Sequence, residues 1–164
     1  MNKKIEHIWS VLCSNSSVDI DTNSLSIFNV VEQLNIQSIP KVVSLHNNNS
    51  SPKEAGQESS VIPVTFEIVS LFQRQDPEAD KLLNDAILAL IDPRGKILKE
   101  NNFQIVFPKG SKRLRFRTKL GGMPITISGE YRFILKVKTG KDFHEMSRLP
   151  LDVKIEAKIW TPSI

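Results

Sequence analysis

The sequence predicts an all-β fold, a sandwich of two antiparallel sheets with about eight or nine strands. Three observations lead to this prediction. Apolar and polar residues alternate over many short segments, as they do in strands that bury one face. Turn residues such as Gly, Pro, Asn and Asp separate these segments at nearly regular spacing. No segment shows the periodicity of an amphipathic helix.

A glycine turn followed by a strand, at residues 127–140, indicates the type of sandwich. Gly129 suits the tight turn. A Tyr at the start of a late strand, behind such a turn, is typical of the corner of an immunoglobulin-like sandwich. The predicted fold is therefore an immunoglobulin-like antiparallel β-sandwich. The residues expected to face its core alternate along this strand: Tyr131, Phe133, Leu135 and Val137.

The first part of the chain is predicted to form a hairpin, an edge strand and a loop. Residues 6–14 and 25–36 are largely apolar, and the polar segment at 15–24 could join them as a hairpin. Residues 39–43 suit a short edge strand, because their proline removes a backbone donor. Residues 46–60 contain no apolar side chain larger than Ala, which predicts a flexible surface loop.

The middle of the chain continues the strand pattern. Residues 61–73 alternate, and the continuous apolar run at 86–91 predicts a strand buried on both faces. A single helical turn can begin near Asp76. Asp92-Pro93-Arg94-Gly95 is a strong turn signal. Two short strands are predicted after it, at residues 96–98 and 103–107.

The last part of the chain contains a basic strand and a final half-buried strand. Basic and apolar side chains alternate strictly in residues 112–120. The Gly121-Gly122-Met123-Pro124 segment is predicted to be a turn. Residues 149–160 form the final strand, with apolar side chains on one face and charges on the other. Those charges are expected to pair with Lys136 and Lys138: Asp152, Lys154, Glu156 and Lys158.

Length, cysteine content and hydropathy limit the class of protein. The 164 residues suit a single domain, residues 1–164, that includes the flexible loop. Cys13 is the single cysteine, so neither an intrachain disulfide nor a cysteine-based metal site is possible. The N-terminus lacks the apolar core of a signal peptide, and no apolar run reaches the roughly 20 residues that cross a bilayer. We expect a cytoplasmic protein that is not associated with a membrane.

Several short motifs, taken in order along the chain, are similar to a known family. With them the chain resembles a family of bacterial single-domain proteins of unknown function that have an immunoglobulin-like sandwich. The resemblance implies the fold and a bacterial origin, and it brings no assigned activity. The polar loop at 46–60 departs from the family pattern. The motifs are 9–13 (Trp-Ser-Val-Leu-Cys), 23–30 (Asn-Ser-Leu-Ser-Ile-Phe-Asn-Val), 90–95 (Leu-Ile-Asp-Pro-Arg-Gly), 122–133 (Gly-Met-Pro-Ile-Thr-Ile-Ser-Gly-Glu-Tyr-Arg-Phe) and 149–153 (Leu-Pro-Leu-Asp-Val).

The positive charge of the protein is concentrated in one segment. Residues 101–129 contain no acidic residue, so this segment carries +6 while the rest of the chain, from a total of +4, carries −2. Cations on alternate residues could follow a phosphate backbone, which predicts sequence-independent binding of nucleic acid or another polyanion. They could instead keep an exposed strand from pairing with other chains. The face lacks aromatic residues for base stacking, because Phe116 lies on the opposite face. The six cations are Lys109, Lys112, Arg113, Arg115, Arg117 and Lys119.

The sequence contains no recognisable catalytic or metal-binding motif. Asp19 begins a segment that starts like a calcium loop, but the glycine and the final glutamate of such a loop are missing. The histidines at 7, 46 and 144 are far apart in sequence. Cys13 is expected to be a small buried apolar residue. We therefore predict no catalytic residue, no cofactor and no metal.

These observations favour a non-enzymatic protein-interaction module. It would bind a protein partner, or associate with itself, through an exposed sheet face, an edge or a loop. Trp160, on the outer face of the last strand, is a candidate interface residue, although it could equally pack against the N-terminal strand. Nucleic-acid or polyanion binding through residues 109–119 is the alternative hypothesis.

Overall fold

The computed structural model describes residues 5–37, 60–76 and 80–156, which form nine β-strands and no helix. One sheet has four strands in the order β2-β1-β4-β7, and the other has five in the order β3-β9-β8-β5-β6. The strands are β1 (Ile5–Val18), β2 (Leu25–Val30), β3 (Gln33–Gln37), β4 (Ser60–Arg74), β5 (Leu82–Ile91), β6 (Ile97–Phe107), β7 (Arg113–Ile125), β8 (Gly129–Thr139) and β9 (Asp142–Glu156).

The two sheets pack face to face, which confirms the predicted all-β sandwich. Neighbouring strands are antiparallel, with one exception among the described residues: β3 and β9 are parallel. The core fills the space between the inner faces. β4 contributes Phe66, Ile68 and Phe72 at alternate positions, so its odd-numbered residues in that stretch face outward. The four residues predicted for β8 are all buried: Tyr131, Phe133, Leu135 and Val137.

The predicted corner before β8 is present and depends on the hydroxyl of Tyr131. This hydroxyl accepts hydrogen bonds from the backbone N–H groups of Thr126 (2.8 Å) and Ile127 (3.2 Å). It donates to the carbonyl of Ile127 (2.8 Å). Such a bond from a Tyr at the start of a strand to the backbone just before it is the tyrosine corner of immunoglobulin-like sandwiches.

The Asp92–Gly95 turn is also confirmed, and it packs directly against this corner. Asp92 is buried, and its carboxylate accepts hydrogen bonds from the N–H groups of Arg94 (3.0 Å) and Lys96 (2.8 Å) and from the hydroxyl of Thr126 (3.0 Å). Burial alone would raise the pKa of Asp92, but these hydrogen bonds hold it below its ordinary value. Gly129 has a φ of 141°, and a Cβ there would lie 2.9 Å from the ring of Pro93. Glycine is therefore required where the two turns meet.

Two predicted boundaries are wrong because the chain changes sheets or bends without a turn. Residues 25–36 are not one strand: β2 pairs with β1 in the four-stranded sheet, whereas β3 pairs with β9 in the other. The Gly121–Pro124 segment is not a turn but part of β7. It lies opposite an irregularity in β4 between Ile62 and Thr65, and Gly122 has a φ of 71°. The two glycines thus permit a β-bulge, which bends the strand without ending it.

Two further strands are longer than predicted. The short strands at 96–98 and 103–107 are one strand, β6, because an edge strand tolerates the exposed polar residues between them. β9 begins at Asp142 and forms a hairpin with β8, with Gly140 in the turn. This register also contradicts the predicted charge pairing. Lys136 lies opposite Glu145, and the Nζ of Lys138 is 3.6 Å from the Oδ2 of Asp85.

Some predictions fall outside the described residues. They are the edge strand at 39–43, the flexible loop at 46–59, the helical turn after Asp76, and the interface residue Trp160. Ser60, the last residue of the predicted loop, is described and begins β4.

We predict that Tyr131→Phe lowers the free energy of unfolding by about 1–3 kcal/mol, because two partly buried backbone N–H groups lose their acceptor. Chemical denaturation followed by tryptophan fluorescence measures this change, since the substitution leaves both tryptophans in place. A loss below about 0.5 kcal/mol, within the range of ordinary surface substitutions, would show that the corner does not stabilise the fold.

Candidate functional site

The hairpin of β1 and β2 extends beyond the four-stranded sheet and folds over its outer face. β1 pairs with β4 only as far as Cys13, which lies opposite Glu67. Residues 14–29 beyond this point, here called the hairpin arm, pair only with each other. Glu67 and Val69 are on the outer face of β4 and yet are 2% and 0% exposed. The arm therefore covers this part of the outer face.

Polar contacts attach the hairpin arm to the sheet beneath it. The hydroxyl of Ser16 donates a hydrogen bond to Oε2 of Glu67 (2.6 Å). The guanidinium of Arg117 donates to the carbonyl and the hydroxyl of Ser16, both at 3.4 Å. Arg115 donates to the carbonyl of Asn23 (2.7 Å) and contacts the side-chain oxygen of that residue. Two of the three arginines of β7 thus hold the arm at two points.

The predicted row of cations exists, but its members have different surroundings. Four of them occupy alternate positions of β7 and lie opposite outward residues of β4. Arg113 donates a long hydrogen bond to the side chain of Gln73 (3.5 Å). Lys109 lies 3.7 Å from Asp80, and the carbonyl of Lys112 accepts the N–H of Arg74. Lys119 lies opposite Glu67.

The prediction that Phe116 faces away from the cations is confirmed. Its ring stacks on Phe103 of β6, with centroids 4.7 Å apart and an angle of 9° between the ring planes. This contact joins the two sheets, because β6 and β7 belong to different sheets. The aromatic ring nearest the basic row thus packs within the sandwich.

The side of the sandwich where β1 and β9 approach each other leaves strand edges unpaired. β2 joins β1 only from Cys13 onward, and β3 joins β9 only over residues 152–156. The carbonyl of Leu12 accepts the N–H of Val31 (2.9 Å), so the backbone of Leu12 faces this side. Ser10, two residues earlier, faces the same way. In the part of the chain that the structure describes, no strand pairs with Ser10 on this side.

A proline protects the neighbouring edge of β9. The N–H of Asp152 donates to the carbonyl of Glu32 (3.0 Å), so Asp152 and Pro150 both face the open side. Pro150 has no N–H and cannot form a full ladder with an added strand. Of the two edges, β1 is therefore the better acceptor for another strand.

A short chain of hydrogen bonds supports the edge of β1 from within. Nε2 of His7 lies 2.7 Å from the hydroxyl of Ser10, which lies 2.7 Å from the hydroxyl of Ser70. The His7 ring also packs edge-on against Phe72 at 5.5 Å. Burial lowers the pKa of His7, and a hydrogen bond between the ring and the backbone of Trp9 opposes this shift. In the neutral tautomer that has no proton on Nε2, the ring accepts a hydrogen bond from the Ser10 hydroxyl, across the bulge between His7 and Trp9.

A groove of about 330 Å³ runs beside this edge, between β1, the connection from β2 to β3, and β9. Three exposed large apolar side chains lie near it or on the adjoining strands: Ile8 (44% exposed), Phe28 (48%) and Val30 (55%). Val30 itself lines the groove. The other lining residues are Ser10, Val11, Leu12, Val31, Glu32, Glu130, Leu149, Pro150 and Asp152.

The remaining residues considered for chemistry have structural roles or lie outside the described residues. Asp19 accepts hydrogen bonds from the N–H and hydroxyl of Thr22, both at 2.7 Å, which lower its pKa and cap the turn of the arm. Cys13 is fully buried, as predicted, and burial raises the pKa of its thiol. His46 is not described, and His7 and His144 lie on β1 and β9. Over the described ranges, no group of three His, Cys, Asp or Glu residues could hold a metal ion. No helix long and apolar enough to span a membrane occurs there either.

Sequence reasoning found the basic strand but missed the open edge. The contacts of Arg115 and Arg117 join positions about a hundred residues apart, which no local pattern reveals. The unpaired backbone of Ser10 likewise depends on where β2 ends. The one local signal was the proline at 150, since proline in a half-buried strand indicates an edge.

Comparisons with known proteins give a fold likeness only. No protein-family model and no curated protein matches the chain. One solved structure with a similar part is a β-glucuronidase from glycoside hydrolase family 2, with 12% sequence identity and a TM-score of 0.42. The match covers 59% of this chain and 11% of the enzyme chain. The bacterial family inferred from the motifs therefore stays a prediction.

We predict that removing the arm-holding arginines exposes Cys13 to thiol reagents. The double substitution Arg115→Ala and Arg117→Ala deletes hydrogen bonds worth about 0.5–1.5 kcal/mol each, which raises the open population of the arm roughly tenfold. The rate of Cys13 alkylation in the folded protein measures this population.

Arg113→Ala is the matched control, because Arg113 lies on the same face of β7 without a contact to the arm in the described structure. Its alkylation rate should equal that of the unmodified protein. Equal rates for the control and the double variant would mean that the arginines do not hold the arm.

Proposed function

We propose that this protein is a non-enzymatic interaction module that binds an extended segment of another protein by strand addition to β1. The observation that carries the proposal is that, among the described strands, none pairs with the backbone of Ser10 on the side that faces the groove. An unpaired edge offers N–H and C=O groups in the spacing that another strand requires. The supported hydrogen-bond chain beneath it keeps this edge in position.

The groove gives such a segment a place for its side chains. An added strand directs every second side chain toward the sandwich, and those side chains would enter the groove between Leu12 and Leu149. The exposed Val30 would be covered by the bound segment. Exposed apolar side chains at an open edge are typical of protein-interaction surfaces.

The hypothesis of polyanion binding is kept as a second candidate. Three cations could contact phosphates, because they point away from the core or lie at the end of β7. They are Lys112, Arg113 and Lys119. It takes second place because Arg115 and Arg117 already donate to the arm. Duplex DNA binding that is unchanged by Arg113→Glu with Lys119→Glu would exclude this face as a nucleic-acid site.

A cytoplasmic location is part of the main proposal. It is supported by the single cysteine, Cys13, which is buried and free. Proteins of a reducing compartment rarely contain disulfides. No described feature of the groove is assigned a catalytic role, and the proposed module acts through binding alone.

We predict that Val30→Gln weakens binding of extended peptides about tenfold, because an apolar contact in the groove is replaced by a polar one. The probes are synthetic twelve-residue peptides selected from a random library on the unmodified protein. Their affinities are measured by fluorescence polarisation for the protein and each variant.

Val61→Gln is the matched control, since Val61 is 63% exposed and belongs to β4, away from the groove. It should leave the affinities unchanged. Failure to select any peptide, or equal loss in both variants, would contradict a binding site at this edge.

A further inference from the structure

We infer that the segment bound at β1 is cationic, with Lys or Arg side chains that meet three carboxylates that line the groove. This inference rests on the proposed function. The carboxylates belong to Glu32, Glu130 and Asp152, and among the described residues that line the groove none is a cation. All three residues are exposed at the surface.

The backbone brings these carboxylates together from three strands or connections. Glu130 lies directly opposite Asp152 in the register of β8 and β9. The carbonyl of Glu32 accepts the N–H of Asp152 (3.0 Å), so the residue just before β3 is attached at the same place. Like charges directly opposite each other in a sheet are unfavourable. A cation placed between them would relieve this repulsion.

One arginine of β9 is engaged with an acid outside the groove. Arg148 forms a two-point contact with Glu145, at 2.9 and 3.0 Å. This contact raises the pKa of Arg148, with a smaller contribution from Glu130. Arg148 is the largest cause of the lowered pKa of Glu145, followed among the cations by Lys136 and Arg132. In the described structure, both side-chain hydrogen bonds of Arg148 thus go to Glu145.

Charge complementarity decides between the possible occupants of the groove. A second copy of this chain, paired edge to edge through β1, would bring its own three carboxylates toward the first set. A nucleic acid would bring phosphates, which these carboxylates repel. An extended segment with Lys or Arg beside an apolar stretch complements both the apolar and the acidic residues that line the groove.

The test compares two synthetic peptides that share an alternating Thr-Val core and differ only in their ends. One has two arginines at each end and the other has two glutamates. Each is titrated into isotopically labelled protein, and the backbone amide signals of Ser10 and Leu12 report binding. We expect the arginine peptide to bind about tenfold more tightly at low salt, since three exposed ion pairs each contribute a small amount.

The combined substitution Glu32→Gln, Glu130→Gln and Asp152→Asn should reduce this preference to less than about twofold. Glu100→Gln, an exposed acid of β6, is the matched control and should retain the full preference. Each of the three substitutions made singly should lower the preference about twofold, which keeps the test decisive if the combined variant does not fold.

The outcomes separate the two proposals. Equal affinities, or tighter binding of the glutamate peptide, would contradict the inference that the bound segment is cationic. The proposal of strand addition would not be affected. No shift of Ser10 with either peptide would overturn strand addition itself. Shifts of Ser10 that appear with protein concentration, without peptide, would identify a second copy as the occupant and overturn the inference.

Discussion

The hydrogen bond from the N–H of Val31 to the carbonyl of Leu12 marks the point on which the functional surface depends. There the chain leaves the four-stranded sheet and crosses to the five-stranded one. Before the crossing, β1 and β2 form the arm that folds over the outer face. After it, β3 pairs with β9 only over residues 152–156. Because β2 ends at this crossing, no strand in the described part of the chain pairs with Ser10 on this side.

The same crossing explains why the basic strand is not a plain solvated face. The arm brings polar groups of the β1–β2 hairpin above β7, and two guanidinium groups satisfy them. Arginine suits this task because its planar group can donate to several oxygens at once. The carboxyl of Glu67 is buried beneath the arm in the same region and accepts a hydrogen bond from Ser16. The local excess of positive charge in the sequence therefore has a structural use in the fold.

The fold was predictable where side-chain pattern alone decides it. The alternation around Tyr131 and the turn at Asp92 depend on neighbouring residues, and both predictions are confirmed. The division of residues 25–36 was not predictable, because both halves have the pattern of a strand and only pairing shows that they belong to different sheets. The glycines at 121 and 122 indicate an unusual backbone, but a bulge and a turn require the same residue type.

The candidate site was still less accessible from the sequence, since it consists of what the backbone leaves unpaired. The most direct measurement is amide hydrogen exchange of Ser10 and Val11 in the protein without a partner. Val11 lies opposite Val69 and faces β4, whereas Ser10 faces the open side. If the edge is open, the Ser10 amide exchanges at least about a hundredfold faster than that of Val11, because local exposure requires little free energy. Equal protection of the two amides would contradict the open edge and with it the proposed binding mode.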